Sequence, residues 1–252
     1  MATDMDMSRG RGMDTTMTIE ATAHTVRLMT WLSPSFPVGA YSYSHGIEYA
    51  VEEGLITDRA TLQDWVAHLV RFGSGRTDAV ILRAAHDAVS AGDTDRFADT
   101  AAWAEAFRPT PEMALETTAQ GAAFMTTVAA AWPEIDLEPW SDALIAAARP
   151  TAYPLAVGTV AALAPIPVAA ALAAYLHAFA ANLVSAGVRL VPLGQTDGQR
   201  ATAALERIAL AVAKDIAGRS KITLPEDLGG CMPMADWTSV KHETQYTRLF
   251  RS

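Results

Sequence analysis

The feature that most limits how this chain can fold is a run of 38 residues, from 151 to 188, that contains no Asp, Glu, Lys or Arg. The run is longer than the roughly 20 apolar residues that a membrane-spanning helix requires. It is built largely from alanine, however, it is interrupted by Pro165 and Pro167, and it carries polar side chains such as His177 and Asn182. We therefore predict two helices buried inside a helical bundle and no membrane contact. A membrane-associated helical protein is the alternative.

Helical periodicity in the rest of the chain supports the same fold class. Apolar residues recur three and four positions apart between residues 62 and 70, which places them on one face of a helix. Thr57 is expected to cap that helix at its N-terminus. Thr110, Pro111 and Glu112 form a typical helix start, with a cap residue, a proline at the first position and an acid in the first turn. The period-two alternation typical of strands is not found.

The sequence therefore predicts an all-α, single-domain bundle of about eight to ten helices, with a tail at each end. The first residues lack the apolar core that a signal peptide needs, so we predict a disordered, flexible N-terminal tail. The predicted divisions are the N-terminal tail over residues 1–22, the helical domain over 23–235 and an extended C-terminal docking tail over 236–252.

Charge and cysteine content exclude several classes of protein. The chain has 19 Lys and Arg against 28 Asp and Glu, a net charge of −9. Binding to a phosphate backbone depends on basic side chains that replace counterions, so we expect no nucleic-acid partner. An acidic surface instead suits a protein partner. The single cysteine, Cys231, excludes an intramolecular disulfide and fits the reducing environment of the cytoplasm.

The sequence contains none of the usual catalytic motifs. No Gly-x-Ser-x-Gly elbow is present, and the glycine-rich residues 73–76 lack the spacing and the lysine of a phosphate-binding loop. We therefore expect the chain not to be an enzyme, and the isolated protein to have no hydrolase or NTPase activity. The alternative is an all-α enzyme with a site near His45 and Glu48.

A metal site has only weak support in the sequence. None of the six histidines pairs with another at a spacing of three or four residues, which would place two ligands on one helix face. His45 and Glu48 are three residues apart, and His242 is next to Glu243. His45, Glu48 and His242 are thus weak metal candidates. Hydrogen bonds at a helix surface or an interface would also explain them.

Two segments have unusual composition. Residues 33–44 place prolines, a glycine and two tyrosines between apolar helices, which suits either a helix-entry turn or a rigid contact surface. At the other end, Leu249 and Phe250 stand between Arg248 and Arg251. Arginine and aromatic residues are typical anchors of protein interfaces, so we predict a tail that docks on a partner.

Three motifs, in order, resemble the family of the urease accessory protein UreF. They are residues 33–48, residues 189–199 at the start of the last long helix, and residues 242–252. The resemblance covers the chain from about residue 28 to residue 252, and it implies an all-α, cytoplasmic protein without enzymatic activity.

The resemblance also implies a role and a set of partners. UreF-like proteins act as chaperones or adaptors that link the accessory protein UreD (also called UreH) and the GTPase UreG to apo-urease for nickel insertion, and they modulate that GTPase. It implies a homodimer in the complex and no resident cofactor, with nickel passing through the complex. The implied partner-binding residues are Tyr41, Ser44, Glu48, Gly194, Gln195, Gln199, His242, Glu243, Tyr246, Arg248, Leu249, Phe250, Arg251 and Ser252.

Two expectations about variants follow from these segments. Residues 192–199 are expected to form a buried turn, so Gly194→Val should lower stability or break partner assembly, whereas Thr196→Ala should be mild. Deletion of residues 248–252 should leave the melting temperature nearly unchanged and weaken partner binding, because the tail is expected to contact a partner rather than its own domain.

Overall fold

The computed structural model describes residues 10–252, with side chains from residue 19 onward, and it confirms the all-α prediction. Within these residues the chain forms eleven α-helices, one 3-10 turn and no strand. The helices are α1 (Gly10–Trp31), α2 (Ile47–Glu52), α3 (Arg59–Phe72), α4 (Ser74–Ala91), α5 (Thr94–Ala106), α6 (Pro111–Ala131), α7 (Glu138–Ala146), α8 (Tyr153–Leu163), α9 (Val168–Leu190), α10 (Gln195–Ala217) and α11 (Pro233–His242), and the 3-10 turn is Ala40–Ser42.

The uncharged run forms α8 and α9 in the centre of the bundle, as predicted. Helix α8 packs on α4 and α6, and α9 packs on α10, α3 and α4. Gly158 allows α8 to approach closely, because a Cβ there would lie 2.4 Å from the carbonyl oxygen of Leu82 in α4. Among the described residues, α9 is the one helix long and apolar enough to cross a bilayer by length and composition. Its contacts with three neighbouring helices account for that apolar character within the bundle.

The helix starts follow from local chemistry, with one correction. Helix α6 begins as predicted: Thr110 is the N-cap, its hydroxyl accepts a hydrogen bond from the amide of Met113 at 3.2 Å, and a proline occupies the first turn. Helix α3 is capped by Asp58 and not by Thr57. The Asp58 carboxylate accepts from the Thr61 amide at 2.9 Å, and the Thr61 hydroxyl accepts from the Asp58 amide, which completes a capping box.

Both predicted tails are shorter than the sequence suggested, because each overlaps a helix. Helix α1 begins at Gly10, so residues 10–22 are helical and not disordered, while residues 1–9 of that predicted tail lie outside the described residues. No proline or glycine occurs between residues 13 and 31 to interrupt the helix. Helix α11 crosses the predicted boundary at residue 236 and ends only at His242.

The end of α1 is fixed by an aromatic cluster. Trp31 is buried and meets Phe124 of α6 edge-on, with ring centroids 6.4 Å apart, and Trp132 at 5.7 Å. Such edge-to-face pairs stabilise by about 0.5–1.5 kcal/mol beyond their burial. The cluster holds the last turns of α1 against the bundle, beside the loop that leads to α2.

Candidate partner-docking surface

The last ten residues, 243–252, which we call the C-terminal segment, lie along the loop that precedes α2. The amide of Ser44 donates to the carbonyl of Ser252 at 2.7 Å, and the amide of Arg251 donates to the carbonyl of Ser42 at 2.8 Å. Phe250 and Ser252 are buried. The expectation that this tail is free of its own domain is therefore wrong, because its backbone completes hydrogen bonds that the loop would otherwise lack.

Three carboxylates from two helices hold the C-terminal segment. Glu48 of α2 accepts hydrogen bonds from the amides of Leu249 at 2.6 Å and Phe250 at 2.9 Å. In α6, Glu116 accepts from the hydroxyl of Ser252 at 2.8 Å, and Glu112 forms an ion pair with Arg248. Hydrogen bonds to ionised acceptors are about twice as strong as neutral ones, so these four contacts anchor the segment firmly.

A buried histidine joins the same carboxylates to α11. The Nδ1 atom of His242 lies 2.7 Å from Glu112 and its Nε2 atom lies 3.1 Å from Glu48. His242 is fully buried, and each of its ring nitrogens contacts a different carboxylate. Helix α11 is thereby attached to both α2 and α6.

The turn into α2 adopts an uncommon backbone conformation that makes this attachment possible. His45 and Gly46 both have positive φ, at 54° and 75°. A Cβ on Gly46 would lie 2.7 Å from the amide nitrogen of Ser239 in α11, so only glycine fits this close approach. The turn directs Ser44 and Glu48 towards the C-terminal segment, and it directs His45 towards α6.

His45 pairs with a different carboxylate from the one that the sequence suggested. Its Nε2 atom lies 2.9 Å from Glu116, which also accepts from the side-chain amide of Gln120 at 2.9 Å. Burial lowers the pKa of His45, but the Glu116 carboxylate more than offsets this, and the pKa is raised overall. Glu48 pairs with His242 instead. His45 and Glu48, the two residues of the alternative enzyme site, therefore do not pair with each other.

The metal candidates are used in these ion pairs. Among the residues with described side chains, no group of three or more His, Cys, Asp or Glu side chains is arranged to hold a metal ion. His45 contacts Glu116, while Glu48 and His242 contact each other. This part of the chain uses its histidines as hydrogen-bond donors to carboxylates.

An exposed apolar surface surrounds the anchored segment, and we call it the docking surface. Leu249 is 68% exposed and the side chain of Tyr246 is fully exposed. Helix α11 adds further apolar residues, and Trp237 meets Tyr49 edge-on with ring centroids 5.5 Å apart. The docking surface consists of Tyr49, Met234, Trp237, Val240, Tyr246 and Leu249.

Sequence reasoning missed the part of this surface that lies on α11. Met234, Trp237 and Val240 are spaced three residues apart and share one face, while Ala235, Thr238, Ser239 and His242 on the other face are buried. The signal was the spacing of Met234, Trp237 and Val240, which places three large apolar side chains on one face of a helix. Assigning residues 236–252 to a tail concealed that pattern.

The structure divides the predicted partner-binding residues into two groups. One group is buried within the chain, where it makes internal hydrogen bonds and contacts: Ser44, Glu48, His242, Phe250 and Ser252. Glu243 is half-buried. The other group is exposed: Tyr41, Gly194, Gln195, Gln199, Tyr246, Arg248, Leu249 and Arg251.

Residues 192–199 lie at the start of α10 and do not form the buried turn that the sequence predicted. Gly194 is the N-cap of α10, it is exposed, its φ is −77°, and a Cβ there would meet nothing within 4 Å. The crowded glycine is Gly198, where a Cβ would lie 2.8 Å from Cγ2 of Val188 in α9. Arg189, which precedes this stretch, lies over the ring of Phe250 at 4.4 Å.

Comparison with known proteins identifies the class of this helical bundle. The model of the UreF family matches residues 56–206. Proteins named urease accessory protein UreF are 49% identical over 250 residues in Rhodopseudomonas palustris strain BisB5 (98% of this chain and 100% of the relative) and 52% identical over 227 residues in Bradyrhizobium diazoefficiens (90% of each). A relative in Magnetococcus marinus is 42% identical over 230 residues, 91% of this chain and 98% of that protein.

The matching proteins are all named as accessory proteins of another enzyme, urease. The chain belongs to the UreF family of urease accessory proteins. Its partners are therefore components of urease maturation, and the resemblance seen in the three motifs is confirmed.

Proposed function

We propose that this protein is a non-enzymatic adaptor, acting in the cytoplasm, that links a UreD-type accessory protein and a UreG-type GTPase to apo-urease for nickel insertion. It acts as a homodimer in that complex and modulates the GTPase. It holds no resident cofactor, and nickel is the cargo that passes through the assembly. The family membership supports the role in urease maturation, and the docking surface supports the role of an adaptor.

The observation that carries the proposal is an apolar surface on a firmly anchored segment. Leu249 is exposed, although the residues on both sides of it are held by Glu112 and Glu48. A pre-ordered segment loses little conformational freedom on binding, which leaves more of the contact energy for affinity. Trp237 and Tyr246 are of the residue types that dominate interface hot spots. We assign this surface to the UreD-type partner.

Exposed arginines at the docking surface favour a partner with negatively charged side chains. Arg248 and Arg251 flank Leu249 and Phe250 and both are exposed, and Arg248 already forms an ion pair with Glu112. An arginine can pair bidentately with a carboxylate of a partner. Tyr41, Gln195 and Gln199 are exposed elsewhere and provide the contacts to further components of the assembly.

The test is a pair of leucine variants of similar exposure. Leu249→Asp places a charge in the docking surface, and Leu210→Asp places the same charge on α10, where Leu210 is 58% exposed. Truncation of an interface anchor commonly costs about 2 kcal/mol or more, so Leu249→Asp should weaken binding of the UreD-type protein at least about thirtyfold. Leu210→Asp should bind like the wild type, and both should melt like it.

Co-purification and calorimetric titration with the UreD-type protein measure these affinities. Equal binding by Leu249→Asp and the wild type would remove the docking surface from the proposal. For the absence of enzymatic activity, the measurement is GTP turnover by the purified chain alone. GTP turnover above the rate in buffer, in a sample shown to be free of contaminating GTPases, would contradict the adaptor role.

A further inference from the structure

A cavity of about 690 Å³ lies between the end of α1, the loop after it, α6 and α9. Its mouth is marked by the exposed side chains of Met29 and Tyr41, and its inner end by the buried side chains of Asp78, Glu116 and Tyr175. Cavities of about 300–1,000 Å³ are typical of small-molecule sites. Neither the docking surface nor the contacts of the C-terminal segment account for this space.

The wall of the cavity is mostly apolar, and small residues on α9 leave it open. Ala174 and Ala178 line one side, and Leu28, Leu32 and Phe36 line the other. Larger side chains at the two alanines would fill the space between α9 and α1. Such a wall favours the apolar body of a ligand over bulk water.

Two carboxylates at the inner end are already paired, Asp78 with Arg108 and Glu116 with His45. Arg108 donates from Nη1 to Asp78 at 2.8 Å, and the Tyr175 hydroxyl donates to the other oxygen of Asp78 at 2.8 Å. His45 is paired with Glu116 in the same way at 2.9 Å. An ionised ligand would therefore bring a further buried charge without a counter-charge, which is costly.

One group at this end lacks a partner. The side chain of Arg108 is only 4% exposed, its Nε donates to the carbonyl of Ala104 at 2.9 Å, and its Nη2 is buried with no hydrogen-bond partner. A buried unpaired donor costs about 1–3 kcal/mol, and more on a charged group. The residue lines the cavity, so what the site lacks is an acceptor oxygen.

We propose that this cavity binds a small, uncharged and largely apolar molecule whose carbonyl oxygen accepts hydrogen bonds from Nη2 of Arg108. Ordered water would satisfy the same donor, but it would gain nothing from the apolar walls. The ligand class is thus an amide, ester or ketone with an apolar chain, and not a carboxylate.

The test is calorimetric titration of the full-length protein with three probes of equal chain length: decanamide, decanoate and decylammonium. We expect saturable binding of decanamide with one site per chain, at least about tenfold weaker binding of decanoate, and none of decylammonium, which offers no acceptor. Failure of decanamide to bind, or tighter binding of decanoate, would overturn the proposal.

Two variants locate the site. Arg108→Lys keeps a positive charge beside Asp78 and removes the Nη2 protons, and it should weaken decanamide binding about tenfold or more. Ala178→Leu fills the cavity without touching the ion pairs and should abolish binding, while Ala169→Leu on the exposed side of α9 should not.

The second variant also separates this cavity from its neighbour. Arg108 borders a smaller cleft of about 240 Å³ at the start of α4, together with Asp236. If Arg108→Lys weakens binding and Ala178→Leu does not, the molecule occupies the smaller cleft and the proposal is wrong. The Ala178→Leu result decides the question even if Arg108→Lys fails to fold.

Discussion

The C-terminal segment and residues 192–199 both carry motifs that resemble the family, yet the structure uses them in opposite ways. Phe250 and Ser252 are buried and held by carboxylates of α2 and α6. Gly194 and Gln195 are exposed at the start of α10, with open space around the glycine. The segment that looked like a free end is part of the fold, and the segment that looked like a buried turn lies on the surface.

The contrast shows that residue types alone do not reveal whether a motif holds the fold or faces a partner. What decides is the chemistry of distant residues. Glu48 and Glu116 supply acceptors for the C-terminal segment from about 200 and 136 positions away. Nothing comparable approaches Gly194. The predictions below test this contrast, from the largest expected effect to the smallest.

Deletion of residues 248–252 should now lower the melting temperature, contrary to the sequence-based expectation. It removes the buried Phe250 and leaves Glu48 and Glu116 without three of their donors. Loss of a buried Phe side chain costs about 3–5 kcal/mol, and in a chain of this size each kcal/mol corresponds to about 2–4 °C. We expect a fall of at least about 6 °C by differential scanning calorimetry.

The matched control for the deletion is Tyr246→Ala, which changes a fully exposed side chain of the same segment. It should melt within about 1 °C of the wild type, because surface changes of this kind are worth at most about 0.5 kcal/mol. If the deletion also melts like the wild type, the segment does not contribute to the fold and the contrast disappears.

Valine substitutions at two glycines test whether residues 192–199 lie on the surface around Gly194. Gly198→Val forces a side chain against Val188, and overpacking of this kind costs about 1–3 kcal/mol. Gly194→Val meets open space at an ordinary φ of −77° and should melt within about 1 °C of the wild type. Thermal unfolding of both variants measures the difference. If Gly194→Val melts at a lower temperature than Gly198→Val, the prediction of a buried turn at Gly194 is correct after all.

The smallest effect expected is a pH dependence from His45. Burial lowers its pKa, but the contact with Glu116 raises it further, so the folded protein holds the proton more tightly than the unfolded chain, whose value is 6.5. The stability from this pair is therefore complete below about pH 6.5 and is lost as the pH rises through the folded pKa. Burial lowers the pKa of His86. This residue therefore has the opposite effect: the stability of the folded protein falls as the pH drops below about 6.5.

Replacing His45 with Gln isolates this contribution. The glutamine keeps a donor towards Glu116 and cannot titrate. The wild type should lose melting temperature as the pH rises above about 6.5, and His45→Gln should lose less over the same range. Identical pH profiles for the two proteins would show that the His45–Glu116 contact contributes no proton linkage.

Much of the fold could be predicted because its signals are local. The start of α6 at Pro111 and the bounds of α9 at Val168 and Leu190 follow from cap chemistry, proline positions and apolar periodicity. The cap of α3 was placed one residue too early, because Thr57 and Asp58 are both good caps and only the position of Thr61 decides between them. Boundaries at both ends of the chain depended on tertiary contacts and were missed.

The site could be predicted only as a set of residues. The sequence placed Ser44, Glu48 and His242 in two motifs, but no local pattern shows that these motifs meet around α6. Glu112 and Glu116, which hold them together, stand in a helix that gave no sign of this role. The same holds for the cavity, whose lining combines residues of α1, α6 and α9 that are far apart in the sequence.

The hydrogen bonds between α2 and the C-terminal segment have a consequence for synthesis. Glu48 leaves the ribosome about 200 residues before Leu249 and Phe250, which at 5–20 residues per second is about 10–40 s. During that interval the exposed part of α11 and its neighbours has no anchored segment beside it. A growing chain that does not yet contain Leu249 therefore presents only part of the exposed apolar surface that the folded protein carries.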